Sequence, residues 1–483
     1  MSSRWLGVAL VVAMLVTTAR AELSEEANGR AAGLIEAFGS AEFDVRQKAV
    51  AELVAMGPDV VPLVRQALAT TTDEEVKLRC QMVLAGLAER RIASGQLVET
   101  VVKELGPLPL REARLVALSS DGRRLAYVLV RGAEQQLVID GSTVSIYEKV
   151  SWIGFSRDGS RLAWALERGP EKFVVVDRRE SDAYAELDSM GFSPDGRLCW
   201  RVKDVRTGQW AAVHDGKQGP LYDYVEELAF SPEGRMAYVG RRRGDQFVVC
   251  DGKELPAYDR IWHLAFSPDG KRLAYAARRA GSCFIVNDGR EGRLESRVMW
   301  PVYSGNGRLA YVAGYGSQTR MVVDGKDGPF FDDVGVPVFS SDGKRLAYWA
   351  KLAESWTMVV DGKKSAAGAV DPLVGPVWSP DGTRVLFGAQ QDGRCFVVLD
   401  GRPGPEYDAV RDPAFSSDGR HAAYVAERDG RELVVCDGVE GPPHDRVWLM
   451  RGKSGVLERL RAAVADDGKA QLVEMPWPGG TGK

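Results

Sequence analysis

The chain has 483 residues, 45% apolar and 27% charged, with 53 glycines, 12 tryptophans, 6 cysteines and 4 histidines. That balance describes a folded globular chain and argues against disordered, collagen-like and multi-span membrane classes. Lys+Arg 63 against Asp+Glu 67 leaves a net charge of −4, with no broad positive field to grip a polyanion, so nucleic acid is not an expected partner.

Residues 1–21 read as a signal peptide. Arg4 supplies the basic start, Trp5 to Val16 the apolar run, and Ala19-Arg20-Ala21 the small residues of a cleavage site before Glu22. An uncleaved anchor is the alternative, but a run of twelve is short of the roughly 18 apolar residues a span needs. No transmembrane span is expected after cleavage, and the chain is expected to be exported, periplasmic or secreted. Export would permit disulfides, yet Cys80, Cys199, Cys250, Cys283, Cys395 and Cys436 contain no CxxC spacing and lie in segments that do not pair, so buried free thiols are expected.

Residues 22–95 carry helical periodicity. Four helices fit: Glu25–Phe38, Glu42–Met56, Asp59–Ala69 after the Gly57-Pro58 break, and one from the capping box Thr72-Asp-Glu-Glu75 to about Arg90. Asp44-Val45-Arg46, Ala49, Leu53, Gly57, Val60 and Leu63 resemble a HEAT-type repeat, with Val76, Arg79, Val83 and Leu84 similar to the start of another. That resemblance implies stacked helix pairs with a surface for other proteins; a plain four-helix bundle is the alternative.

Residues 96–109 form a linker, and residues 110–476 repeat. The marker Ser-x-Asp-Gly recurs with its serine at 119, 156, 193, 231, 267, 304, 340, 379 and 416, at intervals of 36 to 39 residues. A tenth, worn copy is placed at Gly452-Lys-Ser-Gly455, and residues 477–483 are a tail. Each copy reads as an apolar strand ending at the serine, a turn, a second strand opening Arg/Lys-Leu-Ala-aromatic, a third strand ending in Asp-Gly, and a short fourth strand with Gly-Pro-x-Tyr-Asp. Three hairpin signals per unit predict antiparallel meanders. The fold class is mainly β: a β-propeller of about nine to ten four-stranded repeats of roughly 37 residues behind a small all-α domain. One large ring is preferred over two smaller ones, and Gln96–Leu105 is a candidate strand to complete the last unit.

Phe266-Ser-Pro-Asp-Gly-Lys-Arg-Leu-Ala-Tyr275 resembles the WD40-like PD40 repeat of the TolB family, over some 360 residues. The resemblance implies the propeller fold. It does not carry the family's envelope role across, because that family has an α/β domain where this chain has helices, and Gly-Pro-x-Tyr-Asp is not part of the usual repeat.

The recurrent aromatics, such as Tyr275 in the second strand and Phe266 before the serine, are assigned to packing between blades rather than to a ligand ladder. The marker serine and aspartate are assigned to turn backbone, since one carboxylate per turn is too few for calcium. Function should lie where copies differ. Four residues before each serine stand Leu115, Trp152, Ser189, Glu227, His263, Trp300, Val336, Gly375 and Asp412, on the strand expected to line the channel. Glu227 and His263 in adjacent units are candidate acid–base residues, and a solvated channel lining is the blander reading. Arg241, Arg242, Arg243, Arg278 and Arg279, near Lys203 and Arg206, are candidate anion-binding residues, and solvated hairpin arginines are the blander reading. No metal site and no cofactor are expected. Gly-x-Ser-x-Gly and His-Glu-x-x-His are missing, so a non-catalytic binding or scaffold protein with a protein or cell-envelope partner is favoured. The alternative is a propeller hydrolase or lyase acting on peptide or saccharide.

Overall fold

The computed structural model describes residues 25–40, 42–56, 60–73, 75–83, 97, 99–132, 134–365, 370–451 and 456–478. The chain divides into one unit of Met1–Val98 with Pro478–Lys483 and a second of Glu99–Trp477. The signal-peptide segment, the Gly57-Pro58 break, the stretch up to Arg90 and Gly452–Gly455 fall outside the described residues.

In the first unit, helices cover Glu25–Glu36, Phe43–Met56 and Val61–Thr70, the first running into a 3-10 turn at Ala37–Gly39; residues 75–83 are also helical. Ala31, Phe38, Ala49, Leu53, Val60, Val64, Cys80 and Val83 bury their side chains together. The cap of the last helix is Asp73 rather than Thr72: its Oδ1 accepts from the N–H groups of Glu75 at 2.9 Å and Val76 at 3.2 Å. The Glu75 carboxylate, which a capping box would turn back on the backbone, instead meets Arg79 at 2.7 Å and Arg46 at 3.0 Å.

The second unit is a propeller of ten antiparallel sheets built on a four-stranded plan, the seventh with its innermost strand split into Asp333–Val334 and Val338–Phe339. Blade one runs through Ala113–Leu118, Leu125–Arg131, Glu134–Ile139 and Ser142–Tyr147, and blade nine through Ala409–Phe415, Ala422–Arg428, Arg431–Cys436 and Val439–Glu440. Each second strand is buried on both faces, because a blade is packed between two neighbours; Leu162–Leu166 are buried at five successive positions. This is why these strands read as unbroken apolar runs instead of alternating. The Asp-Gly turns have positive φ at both central residues, as at Asp400 (50°) and Gly401 (80°), which is the type I′ geometry that suits strand twist. The fourth strand and Gly-Pro-x-Tyr coincide in blade eight, Arg402–Tyr407, but the x-Val that follows belongs to the innermost strand of blade nine.

Blade ten is composite. Arg446–Leu449, Leu460–Asp466 and Lys469–Met475 supply three strands, and Thr100–Pro107 adds the fourth, antiparallel to Lys469–Met475 with Thr100 opposite Glu474 and Pro107 opposite Lys469. Apolar clusters join consecutive blades, and Leu105, Leu108, Tyr127, Ala463 and Leu472 close the seam between blades ten and one. The ten sheets form one ring, not two.

Candidate functional site at the channel ring and the rim

The recurrent polar residues hold blades together. In the marker turn, Ser267 Oγ donates to Asp269 Oδ1 and accepts from the Arg272 N–H at 2.9 Å. That serine bond and the Lys271 amide keep the Asp269 carboxyl below its usual range. The arginine that follows the turn reaches two blades at once. Arg345 Nε binds Asp361 Oδ2 at 2.8 Å in its own blade, while Nη1 donates to the Thr383 carbonyl at 2.6 Å in the next. Its guanidinium lies 4.8 Å from the centre of the Trp378 ring, the aromatic before the next marker serine. Arg124 over Phe155, Arg235 over Phe266 and Arg384 over Phe415 repeat the arrangement.

Gly-Pro-x-Tyr-Asp is a second lock. Tyr407 Oη donates to Glu440 Oε1 of the next blade at 2.9 Å, Arg428 binds the same carboxylate at 2.7 Å, and Asp408 Oδ2 accepts from the Asp429 N–H at the next blade's hairpin. Tyr222 with Glu254 and Arg242, and Tyr258 with Glu291 and Arg279, are the same device. The sequence signal for it was the fixed spacing of Tyr, Glu and Arg across neighbouring copies.

The ring of irregular residues sits on a bulge of the innermost strand. The strand register slips at this point, between Glu226 and Leu228 in blade four and between Trp262 and Ala265 in blade five. Leu115, Ser189, Glu227, His263, Trp300 and Asp412 all have φ between 35° and 57° there. Their side chains are thereby turned out of the strand's own alternation. Exposed Glu227 accepts the Leu264 N–H of blade five at 3.2 Å, and half-buried His263 accepts the Trp300 N–H of blade six on Nδ1 at 3.1 Å. The His263 and Trp300 rings stack, with centroids 5.7 Å apart. Burial pushes the His263 imidazole down, and the Glu227 charge opposes that shift. A neutral ring accepting on Nδ1 carries its proton on Nε2. The two candidates are thus chained through backbone, blade four to five to six.

The five arginines divide. Arg242 and Arg279 belong to the tyrosine locks, each bound to its glutamate at 2.6 and 2.7 Å. Arg241 lies over the Tyr224 ring at 5.5 Å, and Arg278 faces Arg260 across the strand pair. Arg243 occupies the hairpin turn at φ 53°, its N–H held by Asp223 Oδ2 at 2.8 Å. All six cysteines are free thiols, five of them buried and Cys250 half-buried.

No helix among the described residues is long and apolar enough to cross a membrane. No protein-family model and no curated protein matches the sequence. Solved structures similar to it include TolB from Acinetobacter baumannii, 12% identical over 52% of this chain and 77% of that one, with a TM-score of 0.28. The Dos1 propeller is 11% identical over 80% of this chain and 96% of that one, TM-score 0.34. The β-propeller domain of the Trilobed protease from Pyrococcus furiosus is 14% identical over 60% of this chain and 93% of that one, TM-score 0.32.

Proposed function

We propose that the chain is an exported, non-catalytic binding or scaffold protein whose propeller and HEAT-like helical surfaces take a protein or cell-envelope partner. The observation that carries this reading is the engagement of His263, whose one basic nitrogen already accepts the Trp300 N–H of the following blade and is not free to remove a substrate proton, while Glu227 spends one carboxylate oxygen on the Leu264 N–H. The edges of blades five and six add support, with Leu294, Tyr315 and Phe330 exposed at 66%, 74% and 45%. By register, Tyr315 and Phe330 project from one face of blade six. Export rests on the pattern of residues 1–21.

The test is capture of partners from the envelope fraction, run beside hydrolysis assays on peptide and glycan libraries. The double variant Glu227→Ala with His263→Ala should keep the wild-type partners, and Tyr315→Ser with Phe330→Ser should lose them. Turnover that vanishes in the Glu227/His263 variant would overturn the reading in favour of the hydrolase. The mature exported chain should begin at Glu22 on N-terminal sequencing.

A further inference from the structure

Blade nine departs from the repeat at two adjacent positions. The residue just before the second strand is arginine in the eight preceding copies, Arg124, Arg161, Arg197, Arg235, Arg272, Arg308, Arg345 and Arg384, and it is His421 in the ninth. The next residue is leucine, methionine or valine in those copies and Ala422 in the ninth. The arginine's usual task is to neutralise the aspartate of the Asp-Gly turn, as Arg384 does for Asp400 at 3.0 Å. In blade nine that aspartate, Asp437, meets His421 Nδ1 at 2.6 Å instead.

The position before the aspartate completes the set. It carries Ile139, Val176, His214, Cys250, Asn287, Val323, Val360, Leu399 and Cys436 in successive blades. Blade nine alone of the nine joins a sulfur here to a histidine at the arginine position. Blade four has the sulfur with an arginine, and there Arg235 Nη2 donates to Cys250 Sγ at 3.5 Å. In blade nine the ligand atoms of His421, Cys436 and Asp437 lie within 4.8 Å of one another. The strand pairing that sets Ala423 opposite Cys436 brings all three onto one hairpin end.

We propose that His421, Cys436 and Asp437 form a binding site for a divalent transition metal of the zinc class. Imidazole nitrogen, thiolate and carboxylate are the zinc donor set, and bonds of 2.0–2.3 Å put tetrahedral ligands roughly 3.3–3.7 Å apart. The cluster reaches that spacing by a closure of about 1 Å at the sulfur, with the histidine–aspartate hydrogen bond opening to admit the ion. Cys436 is fully buried, and an unliganded cysteine carries its proton as S–H at neutral pH. Metal binding forms the metal–sulfur bond and releases that proton to solvent. The ion then supplies the positive charge that arginine supplies in the other blades. Trp477, from the segment after the last strand, stacks on the His421 ring at 4.9 Å and 9°, which fixes the imidazole plane as a second-sphere partner would. Three protein donors leave the fourth position to water. Asp437 also lines a cavity of about 650 Å³ between blades eight and nine, alongside Ala422.

Cobalt(II) is the probe, titrated into the full chain with zinc as competitor. The expected result is one equivalent bound, with a thiolate-to-cobalt charge-transfer band that zinc abolishes and with proton release. His421→Arg restores the residue of the other eight blades and so should fold, and Cys436→Ala is the second variant. Each should lose the band and weaken binding by at least about tenfold. A band that persists in either folded variant, or cobalt bound by the wild type without a sulfur band, overturns the site.

Discussion

His444 is 7% exposed and lies between two carboxylates, with Nε2 2.9 Å from Glu99 Oε1 and Nδ1 bonded to Asp466. Both ring nitrogens face acceptors, so the ring is an imidazolium. Burial pushes its pKa down, but the bonds and charges of Asp466 and Glu99 outweigh this and raise it to about 9. A group whose folded pKa lies above its unfolded value of about 6.5 contributes stability that is complete below pH 6.5 and lost as pH rises through 9. A rise of that size is worth about 3 kcal/mol. Asp466, held low despite its burial by His444, provides the opposite limb, lost as pH falls. Thermal melts of the wild type should therefore decline between pH 7 and 10. His444→Gln should melt lower at pH 6 and show a flatter alkaline limb, and an unchanged alkaline slope would refute the assignment. The Glu99 contact ties residue 99 to residue 444, a pairing that no local pattern in the sequence announces.

Strands and seams vary around a common plan, and the variations are energetic statements. Between blades five and six the tyrosine lock is replaced by ions: Glu295 stands where the tyrosine would be, bound by Arg320 at 2.8 Å, with both side chains 5% exposed. Arg293 joins Glu295 and Asp327 at 2.7 and 2.6 Å. Removing one partner of so buried a pair leaves an uncompensated charge, so Arg320→Met should cost about 3–5 kcal/mol in urea unfolding. Rebuilding the aromatic seam with Glu295→Tyr and Arg320→Phe together should recover most of that loss, since buried ion pairs are often replaceable by well-packed groups. A double variant as unstable as the single one would count against this. At the ordinary seam, Tyr407→Phe removes one hydroxyl bond to a charged glutamate and should cost about 1.5–3 kcal/mol. The repeat and the hairpin turns were legible in the sequence because they depend on neighbours within one copy, and the buried aromatics because they recur at one position in every copy. The arginine and tyrosine locks were harder to read because each joins residues of different blades. Their chemistry is visible only once strand register sets Tyr407 against Glu440. The same holds for His421 and Cys436, which are fifteen residues apart along the chain and become close through one hairpin. The bulge that turns Glu227 and His263 away from strand alternation left little compositional trace, since its position also carries Leu115, Ser189, Trp300 and Asp412, and of these residues only histidine and aspartate are enriched at positive φ.

At the scale of the whole ring, each blade rests on two neighbours, so the array has no weak end only while blade ten is complete. Its fourth strand comes from Thr100–Pro107, and the paired register from Thr100↔Glu474 to Pro107↔Lys469 covers the edge of the last C-terminal strand. Leu105 and Leu108, 5% and 0% exposed, carry that strand into the core shared by blades ten and one. Burying two leucines is worth about 4 kcal/mol before the strand's hydrogen bonds and the Glu99–His444 contact are added. Deleting residues 99–108 should therefore lower the melting midpoint of the whole propeller. It should also expose blades one and ten to limited proteolysis before the others. A synthetic peptide of residues 96–109, added in excess, should restore the midpoint in a concentration-dependent way, while a scrambled peptide should not. A deleted chain that melts like the wild type would mean that the ring is held by its nine internal seams alone, and that the N-terminal strand covers an edge without closing the circle.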